Sequence, residues 1–153
     1  MLLAGLALAA CADGAAGDSA EDSDALSYSL SYRATLRPTT GMAEVEIEVA
    51  QARDLLRILD FNAPPSRFTG FQGDGQIEVD GDRVLWTIPA TGGRFRYQVA
   101  VDHLRGNVHD ARMTDRWAVF RLDDIFAAAR ARALKGTQAD ATLTCSGPDG
   151  WRF

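Results

Sequence analysis

The chain has two histidines, His103 and His109, and histidine is a residue type that can support metal binding or acid–base chemistry. Their spacing is neither that of a His-x-x-x-His pair on one helix face nor that of a zinc ribbon. Isolated histidines in a loop are more often surface residues than metal ligands. We therefore expect no metal site and no cofactor at this pair.

Asp123 and Asp124, close to Arg121, form a second candidate, because paired carboxylates can act as a general acid and base. Adjacent carboxylates at the start of a helix are commoner as caps, and no matching base stands nearby in the sequence. The chain also lacks a Gly-x-Ser-x-Gly elbow, a glycine-rich phosphate loop and a Cys-x-x-Cys pair. We expect no catalytic residue, and hence no enzyme in the chain as it stands.

Two Asp-Gly segments have the composition of calcium loops, at 73–75 (Gly-Asp-Gly) and 80–82 (Asp-Gly-Asp). A calcium-binding EF-hand needs a longer loop of ordered oxygen ligands that ends in Glu. Asp-Gly between alternating strands is instead a strong hairpin signal. Both segments are interpreted as hairpin turns.

Cys11 carries the sharpest signal, because it follows an uninterrupted run of apolar or small residues from Leu2 to Ala10. As a helix this run would span only about 14 Å, half of the hydrocarbon core of a membrane, so it suits the apolar region of a signal peptide. The sequence Leu-Ala-Ala-Cys at 8–11 resembles the lipobox of bacterial lipoproteins. The alternative is an apolar N-terminus or buried first strand with an incidental cysteine.

The lipobox resemblance implies cleavage between Ala10 and Cys11 and attachment of acyl chains to the thiol of Cys11. Residue 12 is Ala rather than the Asp that often retains such proteins at the inner membrane. The resemblance therefore implies a lipid anchor in the outer membrane of a bacterial envelope, with the protein facing the periplasm. The membrane is the partner that it predicts.

Residues 11–25 are the next segment, and after Cys11 they contain only Ala, Gly, Asp, Ser and Glu. Such a segment has no side chain able to anchor a core, so we expect a flexible tether between a signal peptide at 1–10 and a domain at 26–153. Five acids lie before residue 26, so the net charge of −5 belongs to the N-terminal segment and the body is neutral. A neutral body gives no indication of a nucleic-acid partner.

The body alternates apolar and polar residues with the period of a β-strand, first over 28–37 and then over 44–49. Arg33 and Arg37 on the polar side of the first strand are expected opposite Glu44, Glu46 and Glu48 on the second, where cross-strand ion pairs would fix the register. This charged stripe is interpreted as a solvated sheet face. The binding surface, if there is one, is not identified by the sequence.

Further strands are predicted over 54–61, 76–79, 83–88, 95–101, 117–122 and 141–145, and they place Trp86 in the core and make Cys145 a buried small residue. Alanines over 123–130 favour one short helix that starts at Asp123 and gives way to a strand. Trp151 and Phe153 alternate as at the start of another strand. The fold class is therefore mostly β, an antiparallel β-sandwich of about eight strands with at most one short helix.

The segment 110–124, followed by Arg-Ala-Leu-Lys-Gly at 132–136 and Pro-Asp-Gly-Trp at 148–151, is similar to glycyl-aminopeptidase-type zinc peptidases. It resembles the β-rich N-terminal domain that precedes their catalytic domain, and the resemblance covers roughly 28–153. In that family the zinc ligands lie in the later domain on a His-Glu-x-x-His helix, which no position here matches.

The resemblance implies an accessory domain whose partner is a catalytic domain further along a longer chain. Two alternatives remain open. The protein is either a free-standing module that binds a glycan or a peptide, or a fragment of an active zinc aminopeptidase. A Trp or Tyr platform on one sheet face would favour the binding module.

Overall fold

Twelve strands and one short helix make up the regular structure in the computed structural model, which describes residues 26–153. The strands are β1 (Ser27–Arg37), β2 (Met42–Ala50), β3 (Leu56–Asn62), β4 (Phe68–Gly73), β5 (Gln76–Asp80), β6 (Arg83–Thr87), β7 (Gly92–Ala100), β8 (His103–Arg105), β9 (Val108–Met113), β10 (Ala118–Val119), β11 (Ala129–Ala133) and β12 (Gln138–Ser146). The helix, α1, is Leu122–Ile125. The mostly-β sandwich with one short helix is confirmed, and the expected number of about eight strands is too low.

The strands form a five-stranded sheet in the order β12-β1-β2-β7-β4 and a four-stranded sheet in the order β11-β3-β6-β5. A small three-stranded sheet, β10-β9-β8, lies beside them. Neighbouring strands are antiparallel except β1 and β12, which run parallel. The last strand therefore pairs with the first, which alternation along the chain does not reveal.

The two larger sheets pack face to face through a stack of aromatic rings. Phe61 and Trp86 of the four-stranded sheet lie on Phe95 of the five-stranded sheet, with ring centroids 5.1 and 5.3 Å away. Trp86 is fully buried, and its indole Nε1 donates a hydrogen bond to the carbonyl of Asp74 at 2.6 Å. The prediction that Trp86 is a core aromatic is confirmed.

The outer face of the five-stranded sheet carries the charged stripe that the sequence predicts. Arg33 donates hydrogen bonds to Glu46 and Glu48 at 3.0 and 2.9 Å. Arg37 does the same to Glu44, with the closest contact at 2.7 Å. The expected register of β1 and β2 is confirmed, because Arg33 lies directly opposite Glu46.

The two Asp-Gly segments differ in role. Gly81 adopts a positive φ of 57° in the turn between β5 and β6, so 80–82 is the predicted hairpin turn. Asp74 instead lies where the chain leaves β4 in one sheet for β5 in the other, so the hairpin interpretation of 73–75 is wrong. Its carboxylate accepts the backbone N–H of Arg94 at 2.9 Å and holds this corner against β7.

The helix is shorter than the alanine content predicts. It starts at Leu122 and ends at Ile125, and the alanines that follow are extended. Tyr97 explains this, because its buried hydroxyl accepts the N–H of Ala127 at 3.0 Å and donates to the carbonyl of Ile125 at 3.2 Å. These tertiary bonds outweigh the helix propensity of alanine, which is the highest of any residue, and the chain continues into β11 as predicted.

Two strands predicted near the C-terminus are not formed as expected. Of the segment 117–122, only Ala118–Val119 is a strand, because Leu122 already begins α1. Residues 151–153 belong to no strand, and Trp151 packs on the core while Phe153 is 70% exposed. Among the described residues, no helix is long and apolar enough to cross a bilayer.

Candidate functional site

The two histidines lie on a hairpin rather than in the expected loop. His103 is half-buried at the start of β8, and His109 is exposed in β9, opposite Leu104. Within residues 26–153, no group of three or more His, Cys, Asp and Glu side chains is arranged to hold a metal ion.

The carboxylates of Asp123 and Asp124 have separate structural tasks. Asp124 is almost fully buried, and its Oδ2 accepts the backbone N–H of Arg121 at 3.0 Å at the start of α1. The guanidinium of Arg67 donates a hydrogen bond to the backbone carbonyl of Asp124 at 2.8 Å, and its Nη1 lies 3.8 Å from Oδ1 of Asp124. Asp123 stays in solvent, 3.3 Å from Arg121. The N-cap position is Arg121, and the carboxylate of Asp124 accepts its backbone N–H. The predicted N-cap at Asp123 is wrong.

A wide depression at one end of the sandwich, which we call the apolar groove, brings several exposed apolar side chains together. It has a volume of about 700 Å³, and its walls include Leu36, Trp117, Val119, Phe120, Leu122 and Trp151. Val119, Leu122 and Phe153 are 65%, 53% and 70% exposed. Exposed apolar side chains that cluster in one depression mark binding sites more often than the same residues scattered singly.

The segment carrying Trp117 is held by a turn closed through one threonine. The Thr114 hydroxyl accepts the backbone N–H groups of Arg116 and Trp117 at 3.3 and 3.1 Å and donates to the carbonyl of Trp117 at 3.0 Å. The backbone N–H of Thr114 donates to the same carbonyl at 2.8 Å. With its backbone fixed in this way, the indole of Trp117 is presented half-exposed at the groove.

The opposite wall is built from the last residues of the chain. A turn closed by the Trp151 N–H and the carbonyl of Pro148, at 3.1 Å, folds this segment back over Gly147. A side chain at Gly147 would begin 3.2 Å from both the Trp151 ring and the Phe153 ring. Glycine at this position therefore lets the two aromatic rings lie close to the backbone.

Cys145 lies at the base of the groove and is half-buried, so the prediction of a buried residue is only partly right. It belongs to β12, an edge strand whose residues are otherwise exposed. Burial raises the pKa of its thiol. Because the thiolate is the reactive form of cysteine, this side chain is suited to packing rather than to nucleophilic chemistry.

The charged side chains in the lining of the groove are both arginines. Arg116 and Arg152 are the only ionisable side chains in its lining apart from Cys145. Both are absent from the ion pairs that the described residues form. An apolar surface with two arginines at its margin has the chemistry to hold a ligand that combines apolar groups with a carboxylate.

A second depression, of about 500 Å³, lies over the charged stripe of the five-stranded sheet. Here Glu46 is held between Arg33 and Arg96, which donate to it at 3.0 and 2.6 Å. These arginines lower the pKa of Glu46, and Arg33 and Arg94 likewise lower that of Glu48. The charges are already paired with one another, so this surface is a weaker candidate for binding an ion.

Sequence patterns did not identify the groove, although they singled out Trp151 and Phe153 as aromatic residues that alternate as in a strand. The groove joins β1, the segment around β10 and the final residues, which lie far apart in sequence. Comparison of the chain with protein-family models, curated proteins and solved structures found no match. Ala10 and Cys11, the predicted cleavage and lipidation site, lie outside the described residues.

Proposed function

We propose that this protein is a lipid-anchored β-sandwich domain of a bacterial cell envelope, without a catalytic site of its own, that binds a polypeptide in the apolar groove. The observation that carries the binding role is the gathering of exposed Trp117, Val119, Leu122 and Phe153 around one depression. Exposing these side chains to water costs free energy that a partner would recover by covering them.

The lining of the groove defines the chemistry of this polypeptide. Apolar side chains would fill the space between Trp117 and Trp151, and a carboxylate would bond to Arg116 or Arg152. A peptide segment with alternating apolar and acidic residues meets both requirements. If the similarity to zinc aminopeptidases reflects descent, the segment belongs to a catalytic domain, and this protein is its accessory domain.

A glycan is the less favoured ligand. Flat sugar rings bind to exposed aromatic platforms, yet the three Trp and three Tyr residues of the chain are absent from the outer faces of both sheets. Trp86 and the tyrosines point into the core, and the other two tryptophans lie in the groove. The groove favours the peptide alternative over the glycan alternative.

The topology supports an anchored arrangement in which the tether and the groove lie at opposite ends of the domain. The N-terminal segment joins the sandwich at Ser27, whereas Leu36, at the other end of β1, lines the groove. At about 3.3 Å per residue, these two ends of the strand lie roughly 30 Å apart. A lipid on Cys11 would therefore hold the domain at the end opposite the groove.

Membrane fractionation with Cys11→Ser as the matched variant tests the anchor. The chain, expressed with its native upstream start, should pellet with membranes and gain the mass of acyl chains, because several chains are needed for stable anchoring. The variant should stay without lipid. If both chains fractionate alike and neither gains mass, the proposed anchor is wrong.

Peptide binding tests the groove separately. Two peptides of equal length, one alternating Leu with Asp and the other Leu with Lys, would be titrated while tryptophan fluorescence is recorded. The acidic peptide should bind more tightly, and Val119→Asp should abolish its binding. Val79→Asp is the matched control, because Val79 is similarly exposed, at 59%, but lies on β5 outside the groove. Equal binding of the two peptides, or equal effects of the two variants, would exclude the proposed site.

Reading the coding frame beyond Phe153 tests whether a catalytic domain follows in the same chain. A downstream His-Glu-x-x-His motif would identify a zinc peptidase in the same chain. A stop codon would leave a non-catalytic domain that acts on a separate partner.

A further inference from the structure

The two packed sheets end in four edge strands, β12 and β4 in the five-stranded sheet and β11 and β5 in the four-stranded sheet. An edge strand presents unpaired backbone N–H and C=O groups that can add a strand from another chain. Proteins protect such edges with short strands, charged side chains, prolines or bulges. The four edges can therefore be compared by the protection that each one has.

Three of the edges are protected. Strand β4 has six residues and a register shift between Thr69 and Gln72. Strand β11 has five residues, two arginines and a register shift next to Arg132. Strand β5 has five residues, of which Glu78 and Asp80 are charged.

The fourth edge, β12, has none of these features in comparable measure. It has nine residues, no proline, and a single charged side chain, Asp140. It stays in unbroken register with β1 over Ser27–Thr35. A long, regular edge of this kind favours pairing with another strand.

The inner side of β12 is also exposed within the part of the chain that the structure describes. Ala139, Ala141 and Leu143 lie in register beside Tyr28, Leu30 and Tyr32, which face the other sheet. The four-stranded sheet does not reach over them, and Leu143 remains 45% exposed. An added strand would therefore gain apolar contacts as well as backbone hydrogen bonds.

We propose that β12 pairs antiparallel with β12 of a second copy of this chain, with the two-fold axis at Thr142. In an antiparallel pair, inner residues of one strand face inner residues of the other only if the two paired residue numbers are both odd or both even. For a strand running from Gln138 to Ser146, full overlap places the axis at its central residue. Two five-stranded sheets would then join into one continuous sheet.

The side chains of β12 are compatible with this pairing. Asp140 lies opposite Thr144 of the second copy, so the one charged side chain does not meet its own equivalent. Ala141 lies opposite Leu143 on the inner side, and a small residue faces a large one. Thr142 faces its own copy on the outer side, and threonine pairs across strands are favourable. This self-complementarity favours a second copy over an unrelated strand.

Cysteine crosslinking tests the position of the axis. The full chain carrying Cys11→Ser and Cys145→Ser, which retains no other cysteine, would receive Thr142→Cys, with Thr69→Cys as the matched control on the exposed edge β4. Mild oxidation should give a disulfide-linked dimer for Thr142→Cys and little for Thr69→Cys. Equal crosslinking of the two chains would overturn the proposed interface.

Charge substitution at the same position tests the energetics. Sedimentation should show a concentration-dependent dimer for the Cys11→Ser chain, weakened about tenfold or more by adding Thr142→Lys, because two like charges would then face each other. Mixing this chain with one carrying Thr142→Glu should restore dimers, while Thr69→Lys should leave dimerisation unchanged. The proposal would be overturned if the chain were monomeric at every concentration or if the dimer were insensitive to Thr142→Lys. Binding of an unrelated strand to β12 of a monomer would overturn it as well.

Discussion

The charged stripe on the five-stranded sheet and the apolar groove are both exposed to solvent, but their side chains are used differently. On the stripe, Glu46 is bonded to Arg33 and Arg96, and Glu48 to Arg33 and Arg94. In the groove, Val119 and Phe153 leave most of their apolar surface in water. The charged side chains of the stripe are paired with one another, whereas the apolar side chains of the groove remain exposed to water.

This difference separates side chains that serve the fold from side chains left for a partner. The carboxylates of the stripe fix the register of three adjacent strands, since Glu46 lies directly opposite Arg33 on one side and Arg96 on the other. In the groove, Leu36 belongs to the core, but Val119, Leu122 and Phe153 lie largely in solvent and outside it. Substitutions should therefore change stability on the stripe and binding in the groove.

Trp86→Ala gives the reference value for both surfaces, because it removes the largest fully buried side chain of the core. The variant should lose about 3–5 kcal/mol of unfolding free energy, since the cavity adjoins the Phe95 ring and the bond to Asp74 is lost. Urea denaturation measures the loss. Leu85→Ala, one residue away on the outer side of β6, should cost clearly less. If Leu85→Ala costs as much, the packing described for β6 is wrong.

Glu46→Gln tests the stripe. It removes the charge shared by Arg33 and Arg96, so unfolding free energy should fall by about 1 kcal/mol, the upper end for partly exposed pairs. Glu44→Gln is the matched control, because among residues 26–153 Glu44 bonds only to Arg37, and its side chain is more exposed than that of Glu46. Equal losses in the two variants would contradict the bridging role of Glu46.

The stability difference between wild type and Glu46→Gln should depend on pH. Hydrogen bonds from arginine lower the pKa of Glu46 below its ordinary value, so its stabilising effect is present at neutral pH and lost as the pH falls. The stability difference between wild type and Glu46→Gln should shrink from about pH 5 to about pH 3. Denaturation curves recorded across this range measure it, and a difference that stays constant would show that ionisation of Glu46 does not contribute.

Val119→Asp should have the smallest effect on folding. Because this side chain is largely in solvent, the unfolding free energy should change by about 0.5 kcal/mol or less. The same substitution should remove binding of the acidic peptide. A loss of stability comparable to that of Glu46→Gln would show that the groove is part of the core and would remove the contrast between the two surfaces.

The regular strands could be predicted because each has one buried and one solvated face. Alternation places Val45, Ile47 and Val49 inward in β2, and the turn at Gly81 places β5 against β6. Strand β4 was missed, since two glycines and a register shift interrupt its alternation. The parallel pairing of β12 with β1 was beyond prediction, because a period of two reveals a buried face but not the neighbouring strand.

The groove could not be predicted for a similar reason. Its aromatic residues are visible in the sequence, but their meeting depends on the Thr114 turn and on the fold of the last residues over Gly147. The extended alanines after α1 likewise depend on the hydroxyl of Tyr97, which comes from a distant strand. In both places, local propensity was overridden by contacts between residues far apart in sequence.

The pairing of the first strand with the last has a consequence for how the chain matures. Facing residues of β1 and β12 are 111 positions apart, so this contact closes a long loop and raises the contact order of the fold. During synthesis, β1 has only β2 beside it until residues 138–146 have left the ribosome. The outer edge of β1 is therefore open while residues 38–137 are being synthesised, and the nascent chain is most vulnerable to misassembly over that interval.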